Sequence, residues 1–179
     1  MRFPHNKLLA IFAAAILALL AMPGKVQAQT LQIDSSTANW IEGFTDFVRW
    51  AESGKPEQIT IGIVSSPEVA RYLTRRVDSR EGNPELRVVN INPSDSFEEI
   101  DILFVGSGLK SQWDEINRKC AQNEILSISA QDGFVQAGGC VEFVVRKNRL
   151  RFYINRENLR HCGIEISSKL LELALEPKK

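Results

Sequence analysis

The stretch Glu57 to Val77, EQITIGIVSSPEVARYLTRRV, decides the fold class because it places a strand pattern directly before a helical pattern. Ile59, Ile61 and Ile63 alternate with smaller or polar residues, which is the two-residue period of a β-strand. A serine pair and a proline then open a segment whose apolar residues recur at four-residue spacing. The stretch therefore predicts a strand followed by a helix.

Strand and helix patterns continue to alternate beyond this stretch. PELRVVNI (84–91) and DILFVG (101–106) predict two strands, and the second is apolar throughout, as expected for a strand covered on both faces. LKSQWDEINRKCAQNE (109–124) predicts a helix and ILSIS (125–129) a fourth strand. Such alternation favours parallel pairing with helical crossovers. We therefore expect an α/β fold with a single-domain layered sheet, mostly parallel, and helices on both faces.

Residues 139–155, GCVEFVVRKNRLRFYIN, predict a C-terminal antiparallel hairpin that turns at Lys147-Asn148. With that turn, one face of the hairpin is apolar, and burial of its cross-strand pairs stabilises the hairpin. Asn155 is then placed to cap a short helix, which Gly163 ends. The facing pairs are Val141 with Ile154, Phe143 with Phe152, and Val145 with Leu150.

Two further helices are predicted at the two ends of this domain. SSTANWIEGFTDFVRWAES (35–53) spaces five apolar residues at helical intervals, and SSKLLELALE (167–176) predicts the last helix. The last helix has more leucines than one core-facing stripe needs, so Leu173 and Leu175 are candidates to face a partner or a second copy of the chain, and the alternative is that they belong to the core. The apolar residues of the first helix are Ile41, Phe44, Phe47, Val48 and Ala51.

The first 28 residues have the features of a secretory signal peptide. Arg2 and Lys7 precede an apolar run of about 15 residues, shorter than the roughly 18 of a spanning helix. The small-residue pattern at 26–28 is typical of a cleavage site. We expect residues 1–28 to be removed on export to the periplasm, and residues 29–179 to form one mature domain.

The composition argues against nucleic-acid binding and catalysis. The chain has 22 basic and 22 acidic residues, and removal of Arg2, Lys7 and Lys25 with residues 1–28 leaves a net charge of −3. That balance provides no electrostatic footprint for nucleic acid. His161 is the one histidine of the expected mature chain, and no nucleophile–base motif or metal-ligand spacing accompanies it. We expect a protein that is not an enzyme and that uses no metal or cofactor.

Cysteines that reach an oxidising compartment tend to pair, and this chain has three. The glycine pair at 138–139 suits a sharp turn or bulge before the hairpin, and it places Cys140 at the start of a strand. Cys162 lies at the end of the short helix that follows, so a Cys140–Cys162 disulfide is one candidate pairing. Cys120–Cys140 is the rival pairing, and spacing alone does not decide between them.

A weaker candidate site lies in VGSGLKSQ (105–112), between a predicted strand and a predicted helix. Gly106 and Gly108 place backbone N–H groups where an anion could bind, and Ser107 and Lys110 would be the side chains that contact it. The segment lacks the glycine spacing of dinucleotide- and nucleotide-binding loops, so an ordinary strand-to-helix turn is the simpler interpretation.

Residues 125–174 closely resemble the YfiR family of bacterial periplasmic proteins. The family pattern is a strand, GF…GG, a hydrophobic strand, a turn, RF.IN, a short helix and G..IS..LL.LA. GFTDFVRW (43–50) also resembles the aromatic opening of the family. The matching positions are Gly133-Phe134, Gly138-Gly139, Val141 to Val145, Arg151-Phe152, Ile154-Asn155, Gly163, Ile166-Ser167, Leu170-Leu171 and Leu173-Ala174.

The resemblance implies a periplasmic protein that binds and represses the sensor region of an inner-membrane diguanylate cyclase, which lowers cyclic-di-GMP and biofilm formation. An outer-membrane lipoprotein would relieve that repression. Cys140 stands where many relatives have an apolar residue, so no disulfide pairing follows from the resemblance. The alternative is a periplasmic small-ligand binding module that feeds a sensor kinase or another membrane receptor through a cleft near residues 106–110.

Overall fold

The computed structural model describes residues 24–50 and 57–176, with side chains from residue 33 onward. The described residues from Ile33 onward form one compact unit, and residues 24–32 belong to another. The expected signal peptide lies outside the described residues, except for residues 24–28. No helix in the described ranges is long and apolar enough to cross a membrane.

Strands and helices are interspersed along the chain. In chain order they are α1 (Gly24–Phe44), β1 (Val48–Trp50), β2 (Gln58–Val64), α2 (Pro67–Asp78), β3 (Glu85–Asn90), β4 (Ile102–Val105), a 3₁₀ turn (Lys110–Gln112), α3 (Trp113–Gln122), β5 (Leu126–Ser129), β6 (Val141–Arg146), β7 (Arg149–Ile154), α4 (Arg156–His161), β8 (Ile164–Ile166) and α5 (Ser168–Leu173). The alternation is incomplete, since strand pairs such as β1–β2, β3–β4 and β6–β7 follow one another without a described helix between them.

Six strands form one sheet in the order β3-β2-β4-β5-β6-β7. The pairs from β3 through β6 are parallel, and β7 is antiparallel to β6. The hairpin has the predicted register, since Val141 lies opposite Ile154 and Phe143 lies opposite Phe152. The predicted α/β class, the mostly parallel sheet and the C-terminal hairpin are therefore confirmed.

Side chains of the central strands alternate between two buried cores. In β4, Ile102 and Phe104 belong to the larger core, to which α1 and α2 contribute, whereas Leu103 and Val105 belong to the smaller core with α3. The alternation follows from the two-residue period of a strand, which sends successive side chains to opposite faces. Helices therefore cover both faces of the sheet, as predicted.

Phe152 lies at the centre of an aromatic cluster in the larger core. Its ring centroid is 5.0 Å from that of Trp40, 5.3 Å from Phe44 and 6.4 Å from Phe143, each in edge-to-face geometry. Such pairs contribute about 0.5–1.5 kcal/mol each beyond the burial of their area. The cluster joins α1 to both strands of the hairpin.

The helix predicted over residues 35–53 is wrong in its second half. The helix ends at Phe44, and Val48 and Trp50 instead lie in β1, which pairs antiparallel with β8. The Trp50 indole also donates a hydrogen bond to the carbonyl of Glu124, at 2.9 Å. Pairing and burial of these β-favouring residues outweigh the helical spacing. Ala51 lies outside the described residues.

The last helix is shorter than predicted. It ends at Leu173, and Ala174 adopts an extended conformation. The Leu175 amide then donates to the Phe152 carbonyl, and Leu175 forms a parallel bridge with Tyr153. Strand β7 is the outer strand of the sheet, and its backbone pairs with Leu175, so the chain continues as an extended segment instead of a helix.

Candidate functional site

The segment between β5 and β6 is organised by the ring of Phe134. Phe134 is fully buried and packs edge-to-face against Trp113, with ring centroids 5.3 Å apart. A Cβ at Gly139 would collide with the Phe134 ring, and Gly138 has a φ of +93°. The glycine pair is therefore explained by close packing at one position and left-handed backbone at the other.

Asn155 connects the end of the hairpin to this segment. Its side-chain oxygen accepts hydrogen bonds from the amides of Glu157 and Asn158, both at 3.1 Å, as an N-cap does. Its Nδ2 donates to the Val135 carbonyl at 3.1 Å, and Asn158 Nδ2 donates to the Gly139 carbonyl at 3.0 Å. The segment before β6 and the start of α4 after β7 are thus joined by side-chain hydrogen bonds.

Cys140 and Cys162 meet at the base of the hairpin. Their sulfur atoms are 3.7 Å apart and buried, and both residues carry free thiols in this structure. Gly163, with a φ of +62°, ends α4 directly after Cys162. Cys120 instead belongs to the smaller core, on the other face of the sheet. This geometry favours the Cys140–Cys162 pairing over the Cys120–Cys140 pairing, and the disulfide itself stays a prediction.

The contact between the two thiols separates their acidities. The contact with the Cys162 thiol lowers the pKa of Cys140, with a smaller contribution from Ser127, although burial opposes the shift. The same contact and burial raise the pKa of Cys162, and burial raises the pKa of Cys120. The two shifts have opposite directions because the buried sulfurs share one hydrogen bond.

Gly106 is explained by backbone packing rather than by a ligand. Its amide donates to the Val64 carbonyl at 2.8 Å, where the ends of β2 and β4 meet. A Cβ at this position would run into the backbone of Val64 and Ser65. No residue larger than glycine fits this contact between the two strand ends.

The rest of the predicted ligand site lies on the surface. Ser107, Gly108 and Lys110 are exposed, Gly108 has a φ of +82°, and the Lys110 ammonium lies 5.5 Å from the centroid of the Trp113 ring. Trp113 Nε1, on the ring that lies under Lys110, and Asn117 Oδ1, beside Ala137 and Gly138, are buried and have no hydrogen-bond partner among the described residues. Buried polar atoms are ordinarily hydrogen-bonded, so the Trp113 donor and the Asn117 acceptor, one helical turn apart on α3, depart from the usual pattern.

No metal-binding cluster occurs within residues 24–50 and 57–176. In those ranges no group of three His, Cys, Asp or Glu side chains could hold a metal ion. His161 is exposed at the end of α4, as expected of a surface residue.

The two leucines predicted to face a partner lie beside a basic surface pocket. Leu173 is 50% exposed, and Leu175 lines a pocket of about 530 Å³. Four basic side chains complete the pocket, and with Leu173 and Leu175 they form what we call the hairpin-tip patch. Sequence reasoning missed them, although the run RKNRLR (146–151) was a visible signal. The four basic side chains are Arg146, Lys147, Arg149 and Arg151.

A model of the YfiR/HmsC-like family matches residues 34–175. The chain belongs to the YfiR/HmsC-like family. The matched range runs from α1 to the strand-like pairing of Leu175, so it includes the hairpin, the glycine pair and the hairpin-tip patch. The family assignment expected from the sequence is confirmed. No curated protein matches the sequence.

Membership in the YfiR/HmsC-like family supports a periplasmic regulatory protein of cyclic-di-GMP signalling in general terms. The family is regulatory rather than catalytic. The signal peptide itself stays a prediction.

Solved structures share the fold at low sequence identity. A conserved domain protein from Vibrio cholerae has a TM-score of 0.56 at 13% identity, covering 81% of this chain and 60% of that one. An ABC domain in complex with L-Trp from Streptococcus pneumoniae has a TM-score of 0.53 at 14% identity, covering 78% and 58%. A ligand-free, open substrate-binding protein from Clostridium difficile has a TM-score of 0.51 at 15% identity, covering 79% and 58%. This chain thus spans about 60% of their length, and the likeness is one of fold.

Proposed function

We propose that this protein binds the periplasmic sensor region of an inner-membrane diguanylate cyclase and represses it, so that cyclic-di-GMP and biofilm formation fall. The observation that carries the proposal is the YfiR/HmsC-like family match across residues 34–175. Repression requires that the protein bind the inactive state of the cyclase more tightly than the active one, since only differential affinity shifts an equilibrium. An outer-membrane lipoprotein that competes for the protein would relieve the repression.

The proposal is tested by the cyclic-di-GMP content of the native bacterium after deletion of the gene. We expect a rise, reversed by the full chain and not by a chain lacking residues 1–28, because repression acts from the periplasm. A companion strain that also lacks the cyclase gene is the control, and deletion should have no effect there. Unchanged cyclic-di-GMP in the first strain would contradict the proposal.

Self-association is a separate part of the proposal. The exposed leucine at 173 would serve a homodimer as well as it would serve a cyclase. Light scattering of the purified protein, alone and with the cyclase domain, separates the two. A dimer that dissociates on cyclase binding would mean that one surface serves both partners.

A small-ligand binding module is the second candidate function. It is favoured by Trp113 Nε1, which is buried without a hydrogen-bond partner among the described residues and lies next to the exposed Lys110. A ligand that binds only the folded protein would raise its melting temperature. A panel of amino acids and organic anions should then include a compound whose stabilisation Lys110→Ala reduces and Lys169→Ala does not. A panel without such a compound would contradict this candidate.

A further inference from the structure

The basic side chains of the hairpin-tip patch form no salt bridge in the described part of the chain, although Tyr153 and, more weakly, Asp132 and Glu142 raise the pKa of Arg146. None of the four forms an ion pair there, whereas Arg71, Arg76 and Arg80 of α2 and its following turn do. Arg146 donates to the Tyr153 hydroxyl at 3.1 Å, and Arg151 donates to the Leu173 carbonyl at 3.2 Å. These hydrogen bonds position two of the guanidinium groups, and neither group forms a salt bridge within the described residues.

The tip of the hairpin also departs from what folding alone would favour. Arg146 lies directly opposite Arg149, and like charges at facing positions destabilise a hairpin. Lys147 and Asn148 have φ values of +49° and +60°, so a lysine occupies a turn position where asparagine or glycine is preferred. Residues that break local rules of this kind are characteristic of functional surfaces.

The sheet edge beside the patch is open. Leu175 covers β7 at Phe152 and Tyr153, whereas no described residue pairs with the outer edge of residues 149–151. An open edge offers backbone donors and acceptors to an added strand, and charged side chains beside it select which strand can bind.

We propose that the hairpin-tip patch binds an acidic, extended segment of a partner protein, which adds to the edge of β7. Carboxylates of that segment would pair with Arg146, Lys147 and Arg149, and an apolar residue would contact Leu173 and Leu175. The inference rests on the proposed function, because it takes the periplasmic region of the cyclase as the partner. A polypeptide uses the open strand edge and the exposed leucine, whereas a lipid headgroup would use the charges alone.

The test compares two triple variants of the full exported chain that change the net charge equally. Arg146→Glu with Lys147→Glu and Arg149→Glu reverses the tip, and Arg75→Glu with Arg118→Glu and Arg156→Glu reverses exposed arginines elsewhere. Arg151 is kept because of its hydrogen bond to Leu173. Each variant is titrated with the purified periplasmic region of the cyclase at low and moderate salt, and its melting temperature is measured first.

We expect the tip variant to bind the cyclase region about tenfold or more weakly and with less salt dependence, and the control variant to bind like the wild type. Hydrogen exchange should show new protection within residues 149–151 in the wild-type complex. Equal binding by the wild type and the tip variant would overturn the inference and leave the proposed function standing. Failure of the wild type to bind would overturn both.

Vesicles of phosphatidylglycerol and phosphatidylethanolamine test the lipid alternative. We expect no binding of the wild type to these vesicles at moderate salt. Vesicle binding that the tip variant loses would overturn the assignment of a polypeptide in favour of a membrane surface.

Discussion

The two ends of the β6–β7 hairpin differ sharply although the same two strands build both. At the base, Phe152 is buried among aromatic rings and Asn155 joins the hairpin to the glycine pair. At the tip, Arg146 faces Arg149 and both are exposed. The base is stabilised by packing and hydrogen bonding within the chain, whereas the tip places like charges opposite each other. The proposed binding surface therefore lies at the end of the hairpin that contributes less to stability.

Removal of the central ring should produce the largest loss at the base. Phe152→Ala should lower the free energy of unfolding by about 3–5 kcal/mol, because a buried phenyl ring leaves a cavity that the surroundings fill only in part. Val145→Ala, at a residue 42% exposed near the tip, is the matched change and should cost less than about 0.5 kcal/mol. Urea denaturation measures both. Equal losses would mean that the two ends are not distinct.

Oxidation of Cys140 and Cys162 should sharpen the difference by fixing the base further. Closing the sulfurs from 3.7 Å to a bond of about 2.05 Å releases two protons and passes two electrons to an oxidant, here oxidised glutathione. The cross-link should stabilise the fold by about 3 kcal/mol through loss of unfolded-state entropy. Peptide mapping of protein from the periplasm should show this link, and Cys120→Ser should retain it. A link through Cys120 would contradict the prediction.

A methyl group at the glycine pair should have an intermediate effect. Gly139→Ala should cost about 1–3 kcal/mol because the new Cβ collides with the Phe134 ring. Gly43→Ala in α1 meets nothing within 4 Å and should instead stabilise by about 0.4–1 kcal/mol. Thermal melting of the two variants should therefore move in opposite directions. A neutral Gly139→Ala would mean that the ring shifts at little cost.

Neutralisation at the tip should have the smallest effect and the opposite sign. Arg149→Gln removes a charge that faces Arg146, so the free energy of unfolding should rise by about 0.2–1 kcal/mol. The gain should shrink in high salt, which screens exposed charges. Arg75→Gln, on α2, serves as the control. A loss of stability in Arg149→Gln would show that the tip is built for folding after all.

The sequence predicted those parts of the molecule whose signals are local. The hairpin register followed from alternation between Val141 and Ile154, and the Asn155 cap followed from its position before a short helix. The pairing of β1 with β8 could not be predicted, because the helical spacing around Phe47 is also present and the partner strand lies far along the chain. The helical pattern of residues 167–176 includes Leu175, and its pairing with the distant edge strand β7 could not be predicted either.

The candidate surface was predicted only in part. Leu173 and Leu175 stood out as surplus leucines, whereas the basic side chains next to them did not, because whole-chain charge hides a local cluster. The leucines and the basic side chains become neighbours only because the chain returns along β7 after α5. Sequence periodicity does not reveal a tertiary contact of this kind. The thiols show the same limit, since spacing leaves two pairings open and only the tertiary structure, with Cys140 and Cys162 in contact and Cys120 in the smaller core, separates them.

The pairing of β1 with β8 has a consequence for the order in which the chain can fold during its synthesis. Val48 lies opposite Ile166, and the Ser167 amide donates to the Phe47 carbonyl. Strand β1 is therefore synthesised long before β8, the strand with which it pairs. Contacts of such sequence separation form slowly and cannot form on a growing chain that has not reached them. A nascent chain therefore stays incompletely folded until β8 has been made, which is the condition that passage through a translocation channel requires.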